Sequence, residues 1–313
     1  MAKTATREAY GKALVEFGVD TNIVVLDADL TKSTFTSLFK KAYPDRHFNM
    51  GIAEANMMSV AAGLATCGKT VCASTFAIFA AERSIEQVRN SICYPNLNVK
   101  VCATHAGLSI GEDGASHQIV EDIAIMRALP NMRVISPCDA VETRLAIKYV
   151  LGAPGPFYVR LGRLAVEGVY EEGQCPFEFG KGIQLREGND LTIVSTGLMV
   201  QESLRAVEML REKGISARLI DIHTIKPIDR EILVKASMET GLVLTAEEHT
   251  VNGGLGGAVA EVLSQHAPCR MAMVGVQDVF GKSGKPADVL AAYGLTATEI
   301  ASAAEKLFAT KKA

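Results

Sequence analysis

The amino-acid sequence predicts an α/β protein built from two doubly wound sheet domains. Three features point there. Short β-branched runs alternate with longer helix-like stretches, the apolar runs are continuous, and the alternation lapses once, near residue 168, before resuming. Continuous apolar strands joined by helix-length crossovers mark a parallel sheet covered on both faces. A chain of 313 residues has the length for two such domains at roughly 150 residues each.

In the first half, strands are predicted at 23–27 (IVVLD), 70–74 (TVCAS), 99–104 (VKVCAT), 133–137 (RVISP) and 157–161 (FYVRL). Helices are predicted over 54–67, 76–92 and 139–150, the last opened by Asp139 as its N-cap. Residues 168–189, GVYEEGQCPFEFGKGIQLREGN, are rich in Gly and Glu with no sustained period and read as a linker. The expected units are therefore 1–167, a linker at 168–189, and 190–313. Beyond the linker, strands are expected at 191–196, 217–222, 242–248 and 271–276, with helices at 199–213, 229–237, 255–265 and 296–308.

Composition removes several classes of function. With 48% hydrophobic and 21% charged residues, the chain is an ordinary globular one. Lys plus Arg (32) nearly balances Asp plus Glu (35), so no basic footprint for nucleic acid or an anionic membrane exists. No apolar run approaches the ~18 residues of a membrane span, and the N-terminus lacks a signal-peptide core. Seven cysteines, an odd number without a CxxC pair, sit mostly in apolar stretches. They read as core thiols of a reducing, cytoplasmic compartment.

Ligand sites in such folds lie at the carboxyl ends of strands, and the first domain concentrates its polar residues there. After the first strand comes Asp27-Ala-Asp29-Leu-Thr31-Lys-Ser33. Glu54 leads into the apolar segment MMSVAAGLA. A first-turn acid suits the helix macrodipole, and a carboxylate among apolar neighbours can also hold or deliver a proton. Phe76 and Phe79, at one-turn spacing, can share a pocket or simply pack in the core. Residues 105–117 place His105, Asp113 and His117 in one Gly-rich loop, where glycine permits close backbone approach. Twelve residues separate the histidines and no cysteine joins them, so no metal site is expected on this chain. Arg160, in FYVRLGR, and Arg7 offer guanidinium groups suited to phosphate or carboxylate. GGLGG (253–257) lacks the final glycine of a dinucleotide fingerprint and reads as close packing where a helix starts.

Together these loops resemble the transketolase family of thiamine diphosphate enzymes. The likeness rests on ATREAYGKALVEFG, DADLTKS, GIAEANM, STFAIF, THAGLSIGEDGASHQ, YVRLGR, IDIHTIKPID and EEHTVNGGLGG, and covers essentially the whole chain. It implies a pyrimidine-binding domain followed by the family's C-terminal domain. A full-length member carries a further domain that binds the diphosphate through Mg²⁺ with a GDG motif and a downstream Asn. The single xDG here, Glu112-Asp113-Gly114, already belongs to the His loop. The chain thus resembles the C-terminal subunit of a split transketolase, whose N-terminal partner would hold the metal, in a heterotetramer of two copies of each.

By that resemblance, Glu54 bonds a pyrimidine ring nitrogen, Phe79 and Phe76 stack on the pyrimidine, and His117 moves or stabilises protons near the substrate carbonyl. His105, Arg160, Ser33 and Arg7 fall at sugar-phosphate positions, Asp113 at a hydroxyl-reading position, and Asp29 close to the cofactor. Glu82 stands where the family often has an aromatic. The implied activity is transfer of a two-carbon ketol unit from a ketose phosphate to an aldose. Rival readings are the β subunit of a 2-oxo acid dehydrogenase, a 1-deoxyxylulose-5-phosphate synthase-like enzyme, and a non-catalytic α/β binding protein.

Overall fold

The computed structural model describes residues 3–311. The first half runs β1 (Thr4–Ala5), α1 (Thr6–Phe17), β2 (Ile23–Asp27), α2 (Thr36–Ala42), β3 (His47–Asn49), α3 (Glu54–Thr66), β4 (Thr70–Phe76) and α4 (Ile85–Gln87). It continues with β5 (Val99–Thr104), α5 (Asp122–Ala128), β6 (Arg133–Ile135), α6 (Ala140–Gly152), β7 (Phe157–Arg160) and β8 (Ala165–Val166). The second half runs β9 (Ile183–Arg186), β10 (Leu191–Ser195), α7 (Met199–Glu212), β11 (Ala217–Asp221), β12 (Thr224–Lys226) and α8 (Arg230–Thr240). It ends with β13 (Leu242–Thr250), α9 (Leu255–His266), β14 (Arg270–Val276), α10 (Pro286–Ala292) and α11 (Ala297–Ala309).

The strands form a seven-stranded sheet, β12-β6-β7-β5-β4-β2-β3, and a five-stranded sheet, β14-β13-β10-β11-β9. Both are parallel except at one edge, where β12 and β9 run antiparallel to their neighbours. Strands β2, β4, β5 and β7 are buried along their whole length, as continuous apolar runs require. Asp139 caps α6 by accepting the Glu142 N–H at 2.8 Å, the role its position predicts. Its second oxygen accepts the N–H groups of Val169 and Tyr170, so one carboxylate also pins the chain leaving the first sheet.

Three expectations change. The helix expected over 76–92 starts late: β4 continues to Phe76, and residues 79–83 and 88–93 wind as π-helical turns around α4. The aperiodic stretch 168–189 contains β9, an edge strand of the second sheet. An edge strand bonds on one side only, so it needs no continuous apolar run to announce it. Finally, β12 leaves the second half and completes the edge of the first sheet against β6. The halves are interlocked, and one apolar cluster runs from Leu26 and Met57 through Ile220 to Leu255.

Candidate active site

Strands β2, β4 and β5 end on one edge of the seven-stranded sheet, and the turns leaving them carry most of the residues singled out above. Glu54 is the first residue of α3 and is only 4% exposed. Its Oε1 lies 3.6 Å from Nη1 of Arg83, whose guanidinium covers the Phe79 ring at 4.1 Å. Phe79 and Phe76 are stacked, with centroids 5.7 Å apart and planes 16° from parallel. The π-wound turn starting at Phe79 offsets it from the strand end so that the two rings overlap. His117 stands edge-on to both rings, at 5.6 Å from Phe79 and 6.2 Å from Phe76. A buried carboxylate, an aromatic shelf and an imidazole thus lie side by side, joined through Arg83 and the two phenylalanine rings.

His105 closes the other end of the shelf. The imidazole stacks on Phe76 at 3.8 Å and accepts a hydrogen bond at Nε2 from the Arg7 guanidinium, 3.2 Å away. Because Arg7 can only donate, the ring proton belongs on Nδ1, where Thr104 Oγ1 accepts it at 2.8 Å. Burial, reinforced by the charges of Arg7 and Arg163, pushes His105 down to about 3. It is therefore a neutral polar group at physiological pH. Its backbone is left-handed, φ 62°, the kind of local strain that clusters at functional sites.

The other candidates divide. Arg7 reaches the backbone carbonyl of Ser33 at 2.8 Å, and Ser33 itself is half-buried. Asp29, also at positive φ, exchanges hydrogen bonds with Asn49 in the turn that leads to Glu54. Asp113 is exposed on a 3₁₀ turn of the His loop. Glu82 faces Glu121, and burial together with that second carboxylate raises it.

Arg160 is a correction. Its guanidinium is buried, donating from Nε and Nη2 to Asp122 (2.8 and 3.2 Å) and from Nη2 to the Glu248 carbonyl at 2.9 Å. Burial alone raises an acid like Asp122, but Arg160 and the Tyr158 hydroxyl outweigh it and hold the carboxylate below its usual range. A guanidinium so committed is a strut between the two halves, not an anion receiver. Arg163, three residues on, is by contrast partly exposed, held by the Ile110 carbonyl and by Glu112 at 3.3 Å. Its charge, after burial, lowers Arg7. Arg83 and Arg163 are the two site residues that sequence reading missed. For Arg163 the signal was present, since YVRLGR contains two arginines and only one can sit inside the strand.

A second grouping lies away from the shelf. Ligand-capable atoms of Cys138, Glu142 and Asp221 fall within 4.8 Å of one another, all buried at the seam between the halves. Asp221 also accepts from the Tyr170 hydroxyl at 2.8 Å. Glu142 Oε1 and Asp221 Oδ1 have no other hydrogen-bond partner, so a single shared proton satisfies both. Burial lifts Glu142 well above the carboxylate range and Asp221 to about 6.

Fold and site define an α/β chain that gathers a buried carboxylate, paired aromatic rings and two imidazoles at the strand ends of its first sheet. Comparison with known proteins places it. Residues 2–168 match the transketolase pyrimidine-binding domain and residues 180–300 the transketolase C-terminal domain. A Methanocaldococcus jannaschii chain, provisionally described as a transketolase C-terminal section, is 52% identical over 94% of this chain and 93% of its own length. A 6-deoxy-6-sulfo-D-fructose transketolase subunit from Clostridium sp. is 41% identical over 96% of this chain and 94% of its own. A split-gene transketolase solved as an inactive beta4 tetramer superposes with a TM-score of 0.91 at 56% identity, covering 97% of this chain and 98% of that one. The chain belongs to the transketolase family.

Proposed function

We propose that this chain is the C-terminal subunit of a two-chain, thiamine diphosphate-dependent transketolase. It would act with an N-terminal subunit that supplies the diphosphate and Mg²⁺ site, and transfer a two-carbon ketol unit from a ketose phosphate to an aldose. The single observation that carries this reading is the grouping of Glu54, Phe79, Phe76 and His117. The donor set suits an aminopyrimidine: the Phe79 ring offers a stacking face, and the buried Glu54 carboxylate, linked to it through Arg83, offers a hydrogen-bond acceptor. The chemistry that thiamine diphosphate supplies when bound is an electron sink at a ring carbon.

This chain's own groups do the rest. Glu54 holds or releases a proton at a pyrimidine nitrogen, sheltered from water by its position at the start of an apolar helix. To receive the ring, Arg83 must give up part of its contact with Phe79. His117, edge-on to the shelf, handles protons at the substrate carbonyl and hydroxyl. Neutral His105, with Arg7 and Arg163, forms a cationic recess for the sugar's terminal anion. That recess suits any tetrahedral oxyanion, in keeping with the sulfonated sugar named for the Clostridium relative. Asp113 is assigned to a substrate hydroxyl, Ser33 to the anion recess, and Asp29 to the cofactor's edge.

Assembly has its own support. Phe48 and Ile52, exposed by 47% and 76%, flank the turn leading to Glu54, as apolar residues do where another chain is to be met. Among the described residues no helix is long and apolar enough to cross a membrane. Cytoplasmic sugar-phosphate metabolism is the proposed setting.

The test is reconstitution with the N-terminal subunit, thiamine diphosphate and Mg²⁺. Turnover of xylulose 5-phosphate with an aldose acceptor, and none of pyruvate, is expected. Pyruvate consumption would transfer the chain to the oxo-acid enzymes, and failure of the pair to bind the cofactor by calorimetry would leave a binding protein. Sedimentation of the pair is expected to give two copies of each subunit.

A further inference from the structure

The loop between His105 and His117 is gripped from the second half of the molecule at several points. Glu248, in β13, is 4% exposed and accepts the Ser109 N–H at 2.5 Å, with the Leu108 backbone beside it. It fills the space over Gly107, which has φ +81° and where a Cβ would collide with the carboxylate. The next residue, His249, accepts the N–H groups of Ile123 and Ala124 at Nε2 (3.1 and 3.3 Å), at the start of the helix that follows the loop. Two donors converge on Nε2, so the ring proton sits on Nδ1 and is donated to the Thr250 carbonyl at 2.7 Å. Thr250 in turn donates its N–H to the Val120 carbonyl. On the far side of His117, Gln118 Nε2 donates to the Leu108 carbonyl and, at 3.0 Å, to the Lys282 carbonyl.

Apart from the Gln118–Leu108 bond, these contacts tie the loop to a domain that contributes no side chain to the shelf itself. We propose that Glu248 is a positioning residue, and that through it the second domain sets the geometry of the loop presenting His105 and His117. The loop is rich in glycine and has little regular structure between residues 105 and 118, so its own backbone does not define a single shape. A buried carboxylate accepting the Ser109 N–H narrows the choice, because a buried amide left without an acceptor carries its full desolvation cost. The strut Arg160 fixes the carbonyl of the same residue, holding Glu248 in register with β7.

The inference rests on the function proposed above, but its test reads the loop separately. Glu248→Gln keeps volume and loses an acceptor; Glu248→Ala removes the grip. In the full chain carrying ¹⁵N-labelled histidine, both variants are expected to shift the His105 and His117 resonances while leaving those of His47 and His266 in place. In the reconstituted complex, kcat is expected to fall by about 100-fold, the order seen when a reacting group is misplaced by an ångström, with cofactor affinity changed less than threefold. Unshifted His105 and His117 resonances would overturn the proposal, as would a loss of kcat matched by the unfolded fraction in thermal melts. Shifted loop resonances in a complex that shows no ketol transfer even as wild type would uphold the positioning role and sink the function.

Discussion

The two sheets share an architecture and differ at their carboxyl edges. The first sheet's edge meets solvent, with Phe79, His117, Arg83 and Arg163 partly or largely accessible around a buried Glu54. The second sheet's edge is plugged into the first domain: Ser195, Asp221, Glu247, Glu248 and His249 are all 4% exposed or less. Ser195 and Asp221 there are spent on the side chains of Ser203 and Tyr170, and the others on backbone. Glu247 accepts the Leu255 and Gly256 N–H groups at the start of α9, and the Ser136 N–H donates to the His223 carbonyl at 2.8 Å. A strand end therefore marks a site only where it meets solvent. Where it meets another domain, the same polar residues become scaffold.

The sharpest test of this contrast is Glu54→Gln in the reconstituted complex. Turnover is expected to drop by roughly 10²- to 10⁴-fold, the usual range for losing an acid–base group, with the melting temperature nearly unchanged. Full activity would move the catalytic edge elsewhere. Next comes Asp122→Ala on the scaffold side, which strands Arg160 as an unpaired buried charge. A stability loss of about 3–5 kcal/mol is expected from urea unfolding, and a loss below 1 kcal/mol would mean that Arg160 is solvated after all.

On the open edge, Arg163→Met reverses the pattern. A change in stability under about 1 kcal/mol, typical of exposed pairs, is expected together with a rise of at least about tenfold in KM for phosphorylated donors, the equivalent of one charge-assisted hydrogen bond. A KM that stays level would remove Arg163 from the anion recess. Phe79→Ala is expected to weaken cofactor binding by about tenfold, as loss of a stacking partner does, measured by calorimetry on the assembled pair. The smallest effect is a slope. Asp221 is lifted by burial to about 6 from 3.8, so the folded chain binds its proton more tightly than the unfolded one. Its contribution to stability is complete below about pH 4 and is lost as the pH rises through 6. Asp221→Asn is expected to flatten the wild-type decline in unfolding midpoint across that window; an identical slope would mean that the carboxyl pair holds no proton.

Much of the site was legible because its residues are bound to local signals. Glu54 precedes an apolar run, the Phe pair has helical spacing, and the histidines share a Gly-rich loop after an unmistakable strand. Arg160 was legible as a guanidinium beside a strand but not as a strut. Its partner Asp122 lies 38 positions away on α5 and carries no mark of its destination. Arg83 escaped notice for a similar reason, since the π-wound turn that carries it over Phe79 has no period to read.

What the sequence alone determined was the parallel strands other than the short β3, the Asp139 cap and the list of polar loops, because continuous apolar burial and helix capping are properties of neighbouring residues. Tertiary structure alone decided which loops stay open and which are sealed, which arginine stays accessible, and that β12 crosses to the other sheet. Those outcomes depend on the desolvation of charged groups by segments far away in the chain, and burial of that kind leaves no trace in local order.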